Sequence, residues 1–169
     1  MNRIITRIFV HCSAGFGDVE SIKRYWKNVL KWKSPGYHRI IDLDANTHSI
    51  AEYNDIVNGV KYYNSTGIHI SYIGGVDPNN YKIAKDTRTE EQKAALICEI
   101  KNVLEYLKEF QDISKIEIIG HRDISPDRNK NGIVDTWERI KECPSFDAIP
   151  EYKNILKEVL LMKALQTDL

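Results

Sequence analysis

The chain has 169 residues, a length typical of one domain that buries roughly two-thirds of its unfolded surface and needs no disulfide to be stable. Lysine plus arginine and aspartate plus glutamate each total 24, and this neutral balance excludes a strong electrostatic attraction to nucleic acid or to an anionic membrane surface. Three cysteines are an odd and small set, which argues against a disulfide framework and favours thiol chemistry or metal binding at one of them.

The amino-terminal segment predicts a strand followed by a helix. Residues 4–10 are apolar and β-branched with polar breaks, and His11 follows where this strand should end. The apolar stretch is too short for a signal peptide or a membrane span, so we expect synthesis in the cytoplasm and no membrane insertion. Asp18 can cap a helix that runs to residue 32, where the Ser-Pro-Gly sequence at residues 34–36 stops it.

The central part of the chain predicts three strands and one long helix. Residues 37–43 predict the second strand of the chain, and residues 49–52 predict a third, short strand. The run at residues 67–75 is apolar and ends in glycines, which is typical of a central strand and its exit turn. A capping box at Thr89 begins a helix whose apolar residues recur at helical spacing to residue 110.

The last part of the chain predicts a short strand, a long loop and two helices. Residues 115–119 predict a strand that leads directly to His121, residues 137–142 predict a helix, and residues 150–165 predict a closing amphipathic helix. Strands that alternate with helices predict an α/β fold with one mixed sheet of about five strands and helices on both faces. We expect one domain over residues 1–169, with a core at about residues 4–148 and ligands at the carboxyl ends of the strands.

The long loop from Asp127 to Glu138 fits the calcium-loop pattern D-x-[DN]-x-[DN]-G-x5-E at every constrained position. We therefore predict a weak calcium site with a dissociation constant of roughly 10⁻⁵ to 10⁻³ M. The alternative interpretation is an ordinary surface turn with scattered charge. The predicted calcium ligands are Asp127, Asn129, Asn131, the carbonyl of Ile133, Asp135 directly or through a water molecule, and both carboxylate oxygens of Glu138, with Gly132 at the sharp turn.

His121 lies before this loop and Cys143 lies after it, and both are borderline-soft ligands that suit zinc. A catalytic zinc site has three protein ligands and one open position, at which the metal activates water and polarises a carbonyl group. Other interpretations remain open from the residues alone. His11 could be an ordinary core histidine, and Cys143 or Cys12 could be the nucleophile of a cysteine hydrolase with a histidine as its base.

Several motifs stand together along almost the whole chain. They are F-V-H-C-S-A at residues 9–14, G-Y-H at residues 36–38, I-G-G-V-D at residues 73–77, G-H-R-D at residues 120–123 and K-E-C-P-S-F-D at residues 141–147. This combination resembles the zinc-dependent N-acetylmuramoyl-L-alanine amidases, a family that includes phage endolysins and peptidoglycan recognition proteins. No single motif carries the resemblance, but the set in this order is specific.

The resemblance implies a zinc centre with three protein ligands, His11, His121 and Cys143. It also implies that Tyr37 lies beside the bound water and that Lys141 helps to stabilise the transition state. The implied activity is hydrolysis of the amide bond between N-acetylmuramic acid and L-alanine in peptidoglycan, in prophage lysis or in wall remodelling. A non-catalytic peptidoglycan-binding module on the same fold is the alternative function. By analogy, we expect a monomer that acts on the cell wall after its release from the cytoplasm.

The chain departs from the family pattern in two places. Many relatives carry a further histidine that points toward the substrate in one loop, where this chain has Gly59 and Val60. The segment between His121 and Cys143 is also much longer than in compact relatives. The first departure leaves substrate contact at this loop unassigned, and the second departure contains the predicted calcium loop.

Three further histidines have no assigned ligand role. His38 neighbours Tyr37 but should point to the opposite face of its strand, so we predict a structural or outer-shell role for it. His48 and His69 belong to no motif, and we expect them to be surface or packing residues.

Overall fold

The computed structural model describes residues 3–167, which form a five-stranded sheet, a short β-hairpin and four α-helices. The strands are β1 (Arg7–Cys12), β2 (Arg39–Ile41), β3 (Thr47–Ser49), β4 (Gly67–Tyr72), β5 (Val76–Asp77), β6 (Asn80–Ala84) and β7 (Glu117–Gly120). The helices are α1 (Val19–Asn28), α2 (Glu90–Lys108), α3 (Ala148–Tyr152) and α4 (Ile155–Thr167). None of these helices is long and apolar enough to cross a membrane.

The large sheet has the strand order β3-β2-β4-β1-β7. Strand β1 runs parallel to both of its neighbours, β2 runs parallel to β4, and β3 is antiparallel to β2. The predicted α/β fold with a mixed sheet of five strands is therefore confirmed. Because parallel strands end at the same edge of a sheet, the carboxyl ends of β1 and β7 bring His11 and His121 together.

Helices cover both faces of this sheet. On one face, α2, α3 and α4 pack against the alternate apolar residues of β1 and β4 and form the larger core cluster. On the other face, α1 contributes Val19 and Trp26 to a smaller cluster with Ile40 and Ile73. Since side chains alternate along a strand, the residues of β1 and β4 that do not enter the larger cluster, including His11 and His69, lie on the α1 face.

The starts of α1 and α2 agree with the predicted caps. The side chain of Asp18 accepts a hydrogen bond from the Ser21 amide at 2.6 Å, and Thr89 forms the predicted capping box with Gln92. Helix α1 ends at Asn28, however, and not at residue 32. Lys31 adopts a φ of 56°, which a continuing right-handed helix does not allow. Five apolar side chains of α2 are completely buried, each stabilising the fold by roughly 1.5–3 kcal/mol: Leu96, Ile100, Val103, Leu104 and Leu107.

The predicted helix at residues 137–142 is wrong. This segment contains only a 3₁₀ turn at Thr136–Glu138. The amide of Ile140 donates to the side-chain oxygen of Ser125 at 3.0 Å, in place of a carbonyl one helical turn earlier. Arg139 adopts a ψ of 121°, which ends the turn. The long loop before Cys143 is therefore held by its own side chains and is not followed by the predicted helix.

Two other elements differ from the sequence prediction. The hairpin of β5 and β6 was not predicted, although Tyr81 and Ile83 alternate with Asn80 and Lys82 along β6; all five residues of this short strand are exposed. The closing helix expected at residues 150–165 is divided into α3 and α4. Residues of the hairpin also line an open surface cleft.

Candidate metal centre

Three side chains of metal-ligand type converge at the carboxyl ends of β1 and β7, namely His11, His121 and Cys143. One ligand atom of each lies within 4.8 Å of the other two, and residues 3–167 contain no other such group of histidine, cysteine or carboxylate side chains. The Nδ1 atom of His11 lies 3.6 Å from the Sγ atom of Cys143. A tetrahedral zinc ion with normal bond lengths separates a nitrogen and a sulfur ligand by about 3.6 Å, so these residues fit zinc.

Backbone contacts hold Cys143 next to the sheet. The amide of Arg122 donates to the carbonyl of Cys143 at 2.7 Å, and the amide of Cys12 donates to the Sγ atom of Cys143 at 3.2 Å. The hydroxyl of Tyr72 donates to the carbonyl of Pro144 at 2.7 Å. At position 120, a Cβ atom would lie only 2.4 Å from the Cδ atom of Pro144, so glycine is required for this close approach.

The electrostatic environment keeps both imidazoles neutral. Burial lowers the pKa of His11 well below its usual value, and the neighbouring His121 lowers it further. Burial and the positive charge of Lys141 lower the pKa of His121 to about 4. Neutral histidine is the form that binds a metal. Burial raises the pKa of the Cys143 thiol, which is the opposite of the shift that activates a cysteine nucleophile. Because zinc binds the thiolate form of cysteine, Cys143 would release its proton when the metal binds.

Tyr37 and Lys141 lie beside the three ligands. The ring centroid of Tyr37 is 4.9 Å from that of His11 and 5.4 Å from that of Trp26. Burial raises the pKa of Tyr37, so its hydroxyl stays protonated and can donate a hydrogen bond. Lys141 is exposed and lines the same cavity as His121 and Cys143. A donor and a positive charge are therefore both available where a substrate would meet the ligands.

An open cleft leads to the three ligands. Its volume of about 870 Å³ is within the usual range for ligand pockets. Helix α1 and the turn after it line this cleft with Tyr25, Trp26 and Trp32. The hairpin contributes Tyr81 and Lys82. The hairpin was not predicted from the sequence, and the spacing of the two tryptophans does not show which face of a helix borders a cleft.

His69 is a further residue of this site that sequence reasoning missed. It is completely buried, and its Nδ1 atom lies 3.0 Å from the Nε2 atom of His11. The expected surface or packing role did not include this contact with a candidate ligand. His38 is also buried, and its Nδ1 atom accepts a hydrogen bond from the His69 amide at 3.0 Å. His48 lies elsewhere and pairs with Asp42 at 2.6 Å. The sequence did contain one signal for His69, which is its position within an apolar central strand. A polar side chain that is buried in such a strand needs a hydrogen-bond partner.

The predicted calcium loop uses its carboxylates in internal hydrogen bonds. Glu138 is only 1% exposed, and its Oε1 atom accepts from the amides of Arg128 and Asn129 at 2.6 and 3.0 Å. Its Oε2 atom accepts from the amide of Asp135 at 2.9 Å. Both oxygen atoms that were predicted to bind calcium therefore already have backbone partners.

The other predicted calcium ligands also contact one another. Asp127 accepts from the amides of Asn131 and Gly132, at 3.2 and 2.8 Å. The side-chain amides of Asn129 and Asn131 both donate to one oxygen of Asp135, at 2.7 and 3.0 Å. The three carboxylates of the loop do not form a metal-type group in the described part of the chain. Calcium binding thus remains a prediction from the sequence pattern, without support from the structure.

Comparison with known proteins gives three related similarities. The family model described as N-acetylmuramoyl-L-alanine amidase matches residues 1–144. The endolysin of Enterobacteria phage K11 is 30% identical over 145 residues, and that of Klebsiella phage KP32 is 28% identical over 146 residues. Each alignment covers 84% of this chain and 82% of the relative. A solved structure, the endolysin N-acetylmuramoyl-L-alanine amidase LysCS from Clostridium intestinale URNW, is similar to this chain with a TM-score of 0.63 at 17% sequence identity. The superposition covers 94% of this chain and 85% of the LysCS chain, so the two proteins share the fold.

Proposed function

Because this chain belongs to the N-acetylmuramoyl-L-alanine amidase family, we propose that it is a zinc-dependent hydrolase of the amide bond between N-acetylmuramic acid and L-alanine. The family and the endolysin relatives support a peptidoglycan amidase or a peptidoglycan-binding protein. Of these two alternatives, a zinc-dependent hydrolase is favoured by one observation. His11, His121 and Cys143 lie together beside an open cleft. The proposed catalytic unit spans residues 4–148.

The donor set supports a catalytic site more than a structural one. Two histidines and one cysteine leave a fourth position free, whereas structural zinc sites are closed by four protein ligands. When bound, zinc lowers the pKa of water and polarises a carbonyl oxygen. His121 and Cys143 both line the cleft, so a substrate amide that enters the cleft can reach the ligands.

Tyr37 is proposed to donate a hydrogen bond to the oxygen that gains negative charge during hydrolysis. Burial keeps its hydroxyl protonated, and the rings of His11 and Trp26 hold the phenol in place. A donor that is already oriented before the reaction stabilises the transition state without a cost of reorganisation. Tyr37 is therefore assigned to the transition state and not to metal binding.

Lys141 is proposed to stabilise the same developing charge from the exposed side of the cleft. Its ammonium group lies close enough to His121 and Cys143 for its charge to affect the titration of both. A fixed positive charge next to a developing oxyanion lowers the barrier more than it lowers the energy of a neutral amide substrate. Lys141 should therefore contribute to kcat more than to substrate binding.

The proposed substrate is peptidoglycan, and the proposed place of action is the bacterial cell wall. Incubation of purified sacculi with the protein should release stem peptides with new free amino termini and no new reducing sugar ends. A strong chelator should abolish this activity, and zinc should restore it. Full activity in the presence of the chelator would contradict the metal assignment and favour a cysteine hydrolase. Binding to sacculi without any cleavage by the zinc-loaded protein would favour a peptidoglycan-binding module.

A further inference from the structure

We infer that His69 is a positioning residue that fixes the ring orientation and the tautomer of the zinc ligand His11. The inference rests on the proposed zinc centre, because the tautomer of His11 matters when this residue binds a metal. The observation that carries it is the 3.0 Å separation between His11 Nε2 and His69 Nδ1, on two rings that are 1% and 0% exposed.

The position of Cys143 determines which nitrogen of His11 faces the metal. The Nδ1 atom of His11 lies 3.6 Å from the Cys143 Sγ atom, so Nδ1 is the atom available to zinc. A neutral imidazole binds a metal through its unprotonated nitrogen and carries its proton on the other nitrogen. His11 must then carry its proton on Nε2 and donate it to His69 Nδ1. If His69 were the donor instead, the proton of His11 would lie on Nδ1 and block the metal.

This direction of donation leaves the second nitrogen of His69 without a partner. Because its Nδ1 atom accepts, His69 carries its own proton on Nε2. That atom is buried and has no hydrogen-bond partner among the described residues. An unpartnered buried N–H group is unfavourable for folding, so an apolar residue would be the better choice here if packing were its only role. The Nδ1 contact with His11 supplies the functional reason for a histidine.

Neighbouring residues hold the His69 ring in one orientation. It is stacked between Phe9 and His38, with centroid separations of 5.1 and 5.9 Å and interplanar angles of 5° and 6°. The backbones of His38 and His69 are also linked, since the His38 amide donates to the His69 carbonyl at 2.8 Å. In a closely packed interior, the ring cannot turn away from His11 without displacing one of these neighbours.

Gly59 provides the space that His69 occupies. A Cβ atom at position 59 would lie 2.2 Å from the Nδ1 atom and 2.4 Å from the Cγ atom of His69. Any other residue at this position would therefore push the imidazole away from His11. The loop in which this chain departs from the family pattern thus has a steric function here, because the missing side chain allows His69 to reach the ligand.

The test compares two variants of similar size and shape, His69→Asn and His69→Leu. Asparagine can place an acceptor oxygen near the position of Nδ1, whereas leucine places a methyl group there. We expect His69→Leu to weaken zinc binding by roughly 10- to 100-fold, the usual effect of removing an outer-shell partner. His69→Asn should retain an affinity close to that of the wild type. The affinities are measured by competition with a chromophoric chelator, and thermal melts of the metal-free proteins show whether each variant is folded.

The wild-type measurement separates this inference from the proposed function. A wild-type protein that binds no zinc overturns the proposed function and the inference together. If the wild type binds zinc and a folded His69→Leu protein binds it equally well, the inference alone is overturned. Equal weakening in both variants also overturns it, because that result indicates a packing role. Should the leucine variant fail to fold, nitrogen-15 NMR of the zinc-loaded wild type decides: a proton on His11 Nε2 supports the inference, and a proton on His69 Nδ1 refutes it.

Discussion

Replacement of Tyr37 by phenylalanine separates catalysis from metal binding. The phenyl ring can keep the contacts of Tyr37 with His11 and Trp26, so the fold and the three ligands should be unchanged. The variant loses only the hydroxyl, which burial keeps protonated in the wild type. Loss of one oriented donor to an oxyanion typically lowers kcat by roughly 10²- to 10³-fold, or about 2.7–4 kcal/mol. We expect a loss of this size in kcat with little change in KM, because the interaction forms mainly in the transition state.

The assay follows the release of amino groups from purified sacculi, with zinc content measured on the same samples. Tyr62→Phe is the matched control, because Tyr62 is 84% exposed and should tolerate the loss of its hydroxyl. Tyr37→Phe should retain one zinc ion per chain. A Tyr37→Phe protein with the wild-type kcat would refute the assignment of this hydroxyl to the transition state. Loss of zinc would instead show that Tyr37 supports the metal centre.

Three further predictions concern the surroundings of the site. Lys141→Ala should lower kcat by roughly 10²- to 10⁴-fold and leave zinc content intact, which kinetics and metal analysis on one sample would show. The metal-free protein should lose stability as the pH falls from 6.5 to about 4, because the unfolded chain gains protons on His11 and His121 that the folded chain does not bind. Denaturation midpoints that stay constant over this range would contradict the burial of neutral imidazoles. Finally, if the loop at residues 127–138 binds calcium, the melting temperature should rise with added calcium. The loop would be an ordinary surface loop if calorimetry detected no heat of binding and the melting temperature did not change with calcium up to about 10 mM, a concentration above the weakest dissociation constant expected of such loops.

Local signals in the sequence were sufficient for several elements. Asp18 and Thr89 each cap a helix through contacts within three residues, so the pattern contains all the information needed. The run that becomes β4 is apolar enough to identify a central strand. In contrast, the end of the long loop depends on the contact between Ile140 and Ser125, which are 15 residues apart. Local periodicity predicted a helix there, and a nonlocal hydrogen bond gives a different structure.

The candidate site was predictable to a similar extent. His11, His121 and Cys143 were identified from motifs, and the structure brings them together because two parallel strands end side by side. His69 was not identified, since its contact with His11 spans 58 residues and depends on how β1 and β4 are paired. A single sequence shows which residues alternate along each strand, but it does not show which residues face each other across the sheet.

Amide hydrolysis by this protein is proposed to require a zinc ion held by His11, His121 and Cys143. This requirement is tested by measuring zinc stoichiometry and amide cleavage in sacculi in parallel, for the wild type and for Cys143→Ala. We expect one zinc ion per chain and cleavage for the wild type, and loss of both for the variant. A folded Cys143→Ala protein that hydrolyses sacculi at the wild-type rate would contradict it.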